Sequence, residues 1–223
     1  MKGEKYMKKI SLLLILILLL PVSAAAQVVW GVRSGIAYSS LVQKVDDRAK
    51  SGARFGYSIA GIAEIPVWNE FSLRPEVVFM QQGGHFLSNP DRPGESVEVA
   101  NTQVRRDYRY YSIQIPVNIC YTFTFSEINI NLFGGPVLDF PLSGKVKMAG
   151  GKGDMQFGSE PEDDIKSFDL GISVGLGAEY ANFFCSINAI CGTLDRRAHT
   201  DAMEKSVYQN NVTLSLGYFF RTK

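Results

Sequence analysis

The sequence predicts an all-β fold, an eight-stranded antiparallel transmembrane β-barrel wound as an up-and-down meander. Three observations carry that expectation: the length of the alternating segments, the aromatic residues at their ends, and the uneven lengths of the connections between them. The clearest segment is Phe168 to Tyr180. It places Phe, Leu, Ile, Val, Leu, Ala and Tyr on one face and Asp, Gly, Ser, Gly, Gly and Glu on the other. At about 3.3 Å per residue it reaches about 43 Å, and a tilt of about 45° turns that into about 30 Å of height, the thickness of a bilayer's hydrocarbon core. The aliphatic face suits lipid, and the small and polar face suits a narrow lumen.

Elements follow in chain order. Lys2, Lys5, Lys8 and Lys9 precede the apolar run Ile10 to Leu20, the breaker Pro21 and Ala24-Ala25-Ala26. This is the pattern of a secretory signal peptide over residues 1–26, cleaved near Ala26, with Met1 or Met7 as the start. The apolar run is too short for a spanning helix, which needs about 20 residues. Residues 27–223 then form one outer-membrane β-barrel domain of 197 residues, with 19 basic and 21 acidic side chains. That balance gives no reason to expect a nucleic-acid partner.

Alternating segments fall at 28–39, 54–65, 71–84, 108–122, 127–140, 167–180, 183–194 and 209–221. The connections run long, short, long, short, long, short, long: Ser40 to Ala53, Pro66 to Glu70, His85 to Asp107, Phe123 to Ser126, Pro141 to Lys166, Ala181-Asn182, and Asp195 to Tyr208. Short turns belong on the periplasmic side and long loops at the cell surface. The lipid-facing sets are Trp30, Val32, Ile36 and Tyr38; Phe55, Tyr57, Ile59 and Ile65; Leu73, Val77 and Phe79; Ile113, Ile115, Val117, Ile119 and Tyr121; Ile128, Ile130 and Leu132; and Val212, Leu214, Leu216, Tyr218 and Phe220. The seventh strand, starting Phe183-Phe184-Cys185, does not declare its register. Trp30, Trp68, Phe71, Phe123, Phe125, Tyr180 and Tyr218 make a periplasmic aromatic girdle, and Tyr38, Tyr57, Tyr110, Phe140 and Phe168 an outer one. Cys120, Cys185 and Cys191 lie too far apart on their strands to be bridged, and are read as buried small hydrophobes.

A secreted lipocalin-like barrel shares the alternation but would turn Gly171, Gly175 and Gly177 to water, where glycine weakens a strand without relieving any crowding. Several segments, moreover, are similar to one known family: GVRSGIAYS (31–39), FSLRPEVVFMQQGG (71–84), YYSIQIPVNICY (110–121), NLFGGPVLDF (131–140), FDLGISVGLGAEY (168–180) and LSLGYFF (214–220). Together they resemble the PorT-like outer-membrane β-barrels of Bacteroidetes. The resemblance implies a small outer-membrane barrel from a family mostly without assigned biochemical activity, some of whose relatives assist secretion or gliding. This chain ends Arg221-Thr-Lys after Phe220, whereas an assembly signal usually ends on the aromatic, and no motif specific to secretion is present.

On the lumen face the alternation places Arg33, Glu64, Arg74, Glu76, Asp139, Asp169 and Glu179, with Asn118, Asn129 and Asn131. Charges in a narrow interior must be paired or hydrated, so Arg33 and Arg74 are expected to bridge carboxylates in a polar plug. No catalytic, cofactor or metal site is expected. His85 and His199 are in outside loops, and His199 with Asp201 and Asp195 is only a remote case for a rim hydrolase. Gly150 to Asp154 departs from a phosphate loop and reads as a flexible tip, and Glu160 to Asp164 as a solvated acidic loop. The expected role is a non-enzymatic structural or interaction barrel. Its partners are outer-membrane lipid and lipopolysaccharide, with other envelope proteins met through the long loops, and a small-solute diffusion pore is the alternative.

Overall fold

Nine antiparallel strands among the described residues make one closed sheet in the computed structural model, which describes residues 28–45, 48–88, 104–148, 151–160, 163–198 and 206–221. They are β1 (Val29–Val45), β2 (Arg48–Trp68), β3 (Phe71–Ser88), β4 (Val104–Phe125), β5 (Ile128–Met148), β6 (Gly151–Asp154), β7 (Asp169–Tyr180), β8 (Phe183–Gly192) and β9 (Val207–Phe219). Eight form the barrel in meander order, and β1 closes on β9 from Gly31↔Phe219 to Gln43↔Val207. The ninth, β6, extends the outer end of β5 alone, and β5 then pairs directly with β7. The segment read as a signal peptide, residues 1–26, lies outside the described residues.

Period two holds along the wall. Along β7 burial alternates without a break from Asp169 to Tyr180. Trp30, Ile36, Phe55, Ile59, Val77, Ile119, Val174, Leu214 and Leu216 present their side chains outward, as the lipid-facing sets require. The undeclared register of β8 is fixed by its pairing: Phe183, Cys185, Ile187 and Cys191 point out, while Phe184, Ser186, Asn188 and Ile190 point in. The reading of all three cysteines as buried is corrected there. All are free, but only Cys120 is buried, because Cys185 and Cys191 occupy outward positions of β8. Tyr110 is likewise no part of the outer girdle. It shares the inward parity of Ser112 and Gln114 and is fully buried.

The strands run further outward than alternation suggests. Residues 40–53 were expected to be a loop, yet β1 and β2 stay paired to Val45↔Arg48. β3 and β4 likewise pair to Ser88↔Val104, and the supposed flexible tip is, from Gly151, strand β6. Beyond the bilayer the outward face no longer needs apolar residues, so the alternating signal weakens while the hydrogen-bonded ladder continues. At the other end the turns tighten to Asn69-Glu70, Ser126-Glu127 and Ala181-Asn182. Both Ala181 and Asn182 have positive φ (47° and 73°), the backbone that matches a two-residue turn to the twist of its strands.

The core is the lumen itself. Near the end with the short turns Ile62, Phe184 and Phe219 pack together, with Val29 against them and the Phe184 and Phe219 rings stacked at 4.7 Å. Ala37, Ala60, Val78 and Met80 form a second cluster. Tyr110, Val146, Met155 and Ile165 form a third, with Tyr108 and Phe157 beside it, toward the outer mouth. Gly175 makes room for the Phe133 ring: a Cβ there would lie 2.4 Å from the ring and 2.8 Å from the Ile187 carbonyl oxygen.

Candidate functional site

All seven charged side chains assigned to the lumen from the sequence are buried. Arg33 on β1 reaches across to β3, donating from Nε to Glu76 Oε2 at 2.8 Å and from Nη1 to Ser215 Oγ of β9 at 3.0 Å. Arg74 on β3 donates from Nη2 to Glu64 Oε2 of β2 at 2.5 Å. Its guanidinium also lies over the rings of Phe219 and Phe133, 5.2 and 5.7 Å from their centroids. Asn118 and Ser173 are joined by a hydrogen bond across the interior. Asn131 is buried and accepts from Thr122, while Asn129 sits at the short-turn rim and accepts from Thr124.

The remaining carboxylates are joined by two arginines that the alternating pattern did not supply. Arg221, just past β9, donates from Nε to Glu179 Oε1 at 2.8 Å and from Nη2 to Glu64 Oε1 at 2.9 Å. Glu64 therefore sits between Arg74 and Arg221. At the outer end Asp139 of β5 is paired in register directly with Asp169 of β7. Like charges so placed destabilise a sheet unless a cation joins them. Arg196, in the connection between β8 and β9 and with no exposed surface, does so: its Nη1 is 3.4 Å from Asp139 Oδ2 and 3.6 Å from Asp169 Oδ2. Its Nη2 donates to the Tyr110 hydroxyl at 3.1 Å, and that hydroxyl donates to Gln209 Oε1 at 2.8 Å. Gln82 extends the cluster, donating to Asp139 Oδ2 and Ser112 Oγ and accepting from Asn211.

A signal for both arginines was present in the sequence. The assigned lumen set held five carboxylates against two guanidinium groups, an imbalance that a dry interior does not tolerate. Arg221 also shares the inward parity of Phe219, whereas Arg196 has no strand periodicity to place it.

The outer connections are tied down by their own polar groups. Desolvation pushes the Asp195 carboxyl up, but hydrogen bonds from the Arg197 side chain and the Val207 and Arg197 amides outweigh it and hold the pKa at about 2. Asp195 is thus committed to its own connection, and His199 and Asp201, its partners in the hydrolase reading, lie outside the described residues. His85 packs on Gly52 and is paired in register with Asp107. In the acidic run, Asp163 accepts from the Glu160 amide and Asp164 from the Gln156 amide, while Pro161 and Glu162 lie outside the described residues. Among the described residues no group of three or more His, Cys, Asp or Glu side chains is placed to hold a metal ion.

A wall apolar on the outside, a paired charged interior and short turns at one end fit a membrane barrel, and the family model described as outer membrane protein beta-barrel domain matches residues 23–190. The chain belongs to that family. As an outer-membrane barrel it sits in the lipid bilayer of the outer membrane. Among solved structures it is similar to neisserial surface protein A, with 16% identity over 85% of this chain and 96% of that one and a TM-score of 0.46. It is similar also to Ail, the attachment invasion locus protein of Yersinia pestis, with 16% identity over 86% and 98% and a TM-score of 0.44. The outer membrane enzyme PagL aligns at 12% identity over 82% and 98%, with a TM-score of 0.43. No curated protein sequence matches the chain.

Proposed function

We propose that this outer-membrane barrel is a closed, non-enzymatic scaffold that acts through its outer hairpins rather than through its lumen. The observation that carries this reading is the filling of the interior. The space left between Arg33, Arg74, Glu76, Phe133 and Asn188 admits the centre of a water-sized sphere over only about 10 Å³, close to the least that one water needs. Above it Arg196 spans Asp139 and Asp169 under the Tyr110, Met155 and Ile165 cluster, and below it Phe184 and Phe219 fill the barrel. Paired charges packed this way support a lumen filled by side chains rather than an ion path. The non-enzymatic part is supported by the commitment of Asp195 to Arg197 and by the burial of the lumen carboxylates in ion pairs.

The closer kinship with PorT-like barrels of Bacteroidetes and the removal of residues 1–26 belong to the same reading. The first rests on the segments quoted above and the second on the Ala24-Ala25-Ala26 site. Envelope proteins and lipopolysaccharide are the partners it implies for the outer hairpins.

Single-channel recording in planar bilayers tests the reading. The folded protein is expected to be electrically silent. Reproducible conductance that scales with salt and changes in Arg33→Ala would establish the small-solute pore instead.

A further inference from the structure

The hairpin extension made by β4, β5 and β6 carries a face rich in basic side chains. Arg109 pairs in register with Lys145, and Lys147 with Lys152, so two like-charge pairs stand directly opposite each other across the ladder. Such pairs destabilise a sheet. Arg109, Lys145, Lys147 and Lys152 are all exposed, on the side opposite the buried Tyr110 and Val146. A Cβ on Gly153 would touch Val146, which sets Lys152 on the same side as Lys147. Asp154 pairs in register with Lys145 and Asp107 with Lys147. The face carries four cations against two carboxylates.

Its height decides what it meets. Along β5 the exposed Phe140 and Leu142 end the lipid-facing band, and Lys145 follows three residues later. That is about 10 Å along the strand and about 7 Å in height at a tilt of about 45°. The basic face therefore stands at head-group level on the lipid side of the barrel, where the outer leaflet presents the phosphates of its glycolipid.

We propose that Arg109, Lys145, Lys147 and Lys152 form a binding site for the phosphate groups of lipid A, holding lipopolysaccharide against the β4–β6 side of the barrel. Phosphate oxygens between the opposed pairs turn two repulsions into charge-assisted hydrogen bonds. The site depends on the outer-membrane location of the family and not on whether the lumen conducts.

The test uses the folded protein in phosphatidylcholine nanodiscs carrying either bisphosphoryl lipid A or the same lipid A stripped of phosphate, with the lipid that co-purifies after mild detergent exchange counted by mass spectrometry. The protein is expected to retain the phosphorylated form at least about tenfold better, as several basic groups beside an anionic head-group imply. R109Q/K145Q/K147Q/K152Q should lose that preference while keeping the heat-dependent gel shift of a folded barrel. Should the fourfold variant not fold, Lys152→Glu replaces a repulsive pair by an attractive one, so it supports the hairpin while lowering lipid A retention. Equal retention of the two lipids, or a preference that survives in the variants, overturns the proposal. So does displacement of lipid A by inorganic phosphate at matched concentration, which would make this a site for soluble anions.

Discussion

Replacing Arg196 with Met keeps much of the side chain's apolar stem and removes its charge, so it isolates what the guanidinium does between Asp139 and Asp169. The cation has no exposed surface, lies 3.4 and 3.6 Å from the two carboxylates and donates to Tyr110. At an effective dielectric of about 20, each contact at such a distance is worth about 5 kcal/mol before desolvation is counted. What the substitution exposes is the cost of leaving two directly opposed carboxylates buried without a cation, about 3 to 5 kcal/mol. A solvated pair on a surface connection would contribute about 1 kcal/mol or less. Urea titration of the folded and unfolded gel bands in lipid vesicles separates the two. With a slope of about 1 to 3 kcal/mol per molar, the midpoint should fall by at least about 1 M. Adding Asp139→Asn and Asp169→Asn should recover most of the loss, because the uncompensated charges go with the cation. A single variant within about 1 kcal/mol of the parent, or a triple variant no more stable than the single, would refute the idea that Arg196 neutralises the outer lumen.

The wall and the outer connection supply further expectations. Val174→Arg puts a charge into lipid and should cost about 2 to 4 kcal/mol in the same titration, if its position is near the midplane. Ser173→Arg should also impair folding, but by crowding the Asn118 contact inside, so an added Asn118→Ala should relieve Ser173→Arg and not Val174→Arg. Asp195 has its folded pKa, about 2, below an unfolded value of about 4, so its contribution is fully present above about pH 4 and is lost as the pH falls through about 2. Its partial exposure to solvent keeps that contribution small. Asp195→Asn should therefore speed amide exchange at Arg197 and Val207 at pH 7 and make a much smaller difference at pH 2; equal protection at pH 7 would contradict the assigned role.

How much of this was readable in the sequence depends on what each side of a strand meets. Along β7 one face meets lipid and the other a crowded lumen, and the contrast fixes every residue from Asp169 to Tyr180. In the upper parts of β1 and β2 the residues cease to alternate, so nothing in them marks a strand that the backbone nevertheless forms as far as Val45↔Arg48. The lumen positions Arg33, Glu64, Arg74, Glu76, Asp139, Asp169 and Glu179 follow from alternation alone. Their pairing does so only in part: Arg33 with Glu76 and Arg74 with Glu64 match the expected bridging, while Asp139, Asp169 and Glu179 depend on arginines outside the strands. Tyr110 shows the converse, an aromatic at a strand end that parity sends inward despite its suitability for a girdle.

Those off-strand residues change what the connections are for. Outer loops with few ladder hydrogen bonds are expected to be dispensable, since closure entropy varies by only about 0.6 kcal/mol per doubling of length. That holds for a loop that only joins two strands. Here the segment after β6 brings the buried Met155 and Ile165 against Tyr110 and Val146, and the Met155 amide donates to the Gly144 carbonyl at 3.0 Å. The Lys166 amide then donates to the Arg196 carbonyl at 2.8 Å, tying this segment to the connection that supplies the cation for Asp139 and Asp169. Removing residues 155–165 would therefore uncover Tyr110 and loosen the backbone that aims Arg196. The deletion should leave the membrane wall paired, because the β5–β7 register from Ile128↔Tyr180 to Asp139↔Asp169 lies below it. It should nevertheless lower stability by an amount comparable to Arg196→Met, and combining the two should add little, since both act on the same cluster. Full additivity of the two changes would show that the segment and the arginine close the outer mouth independently.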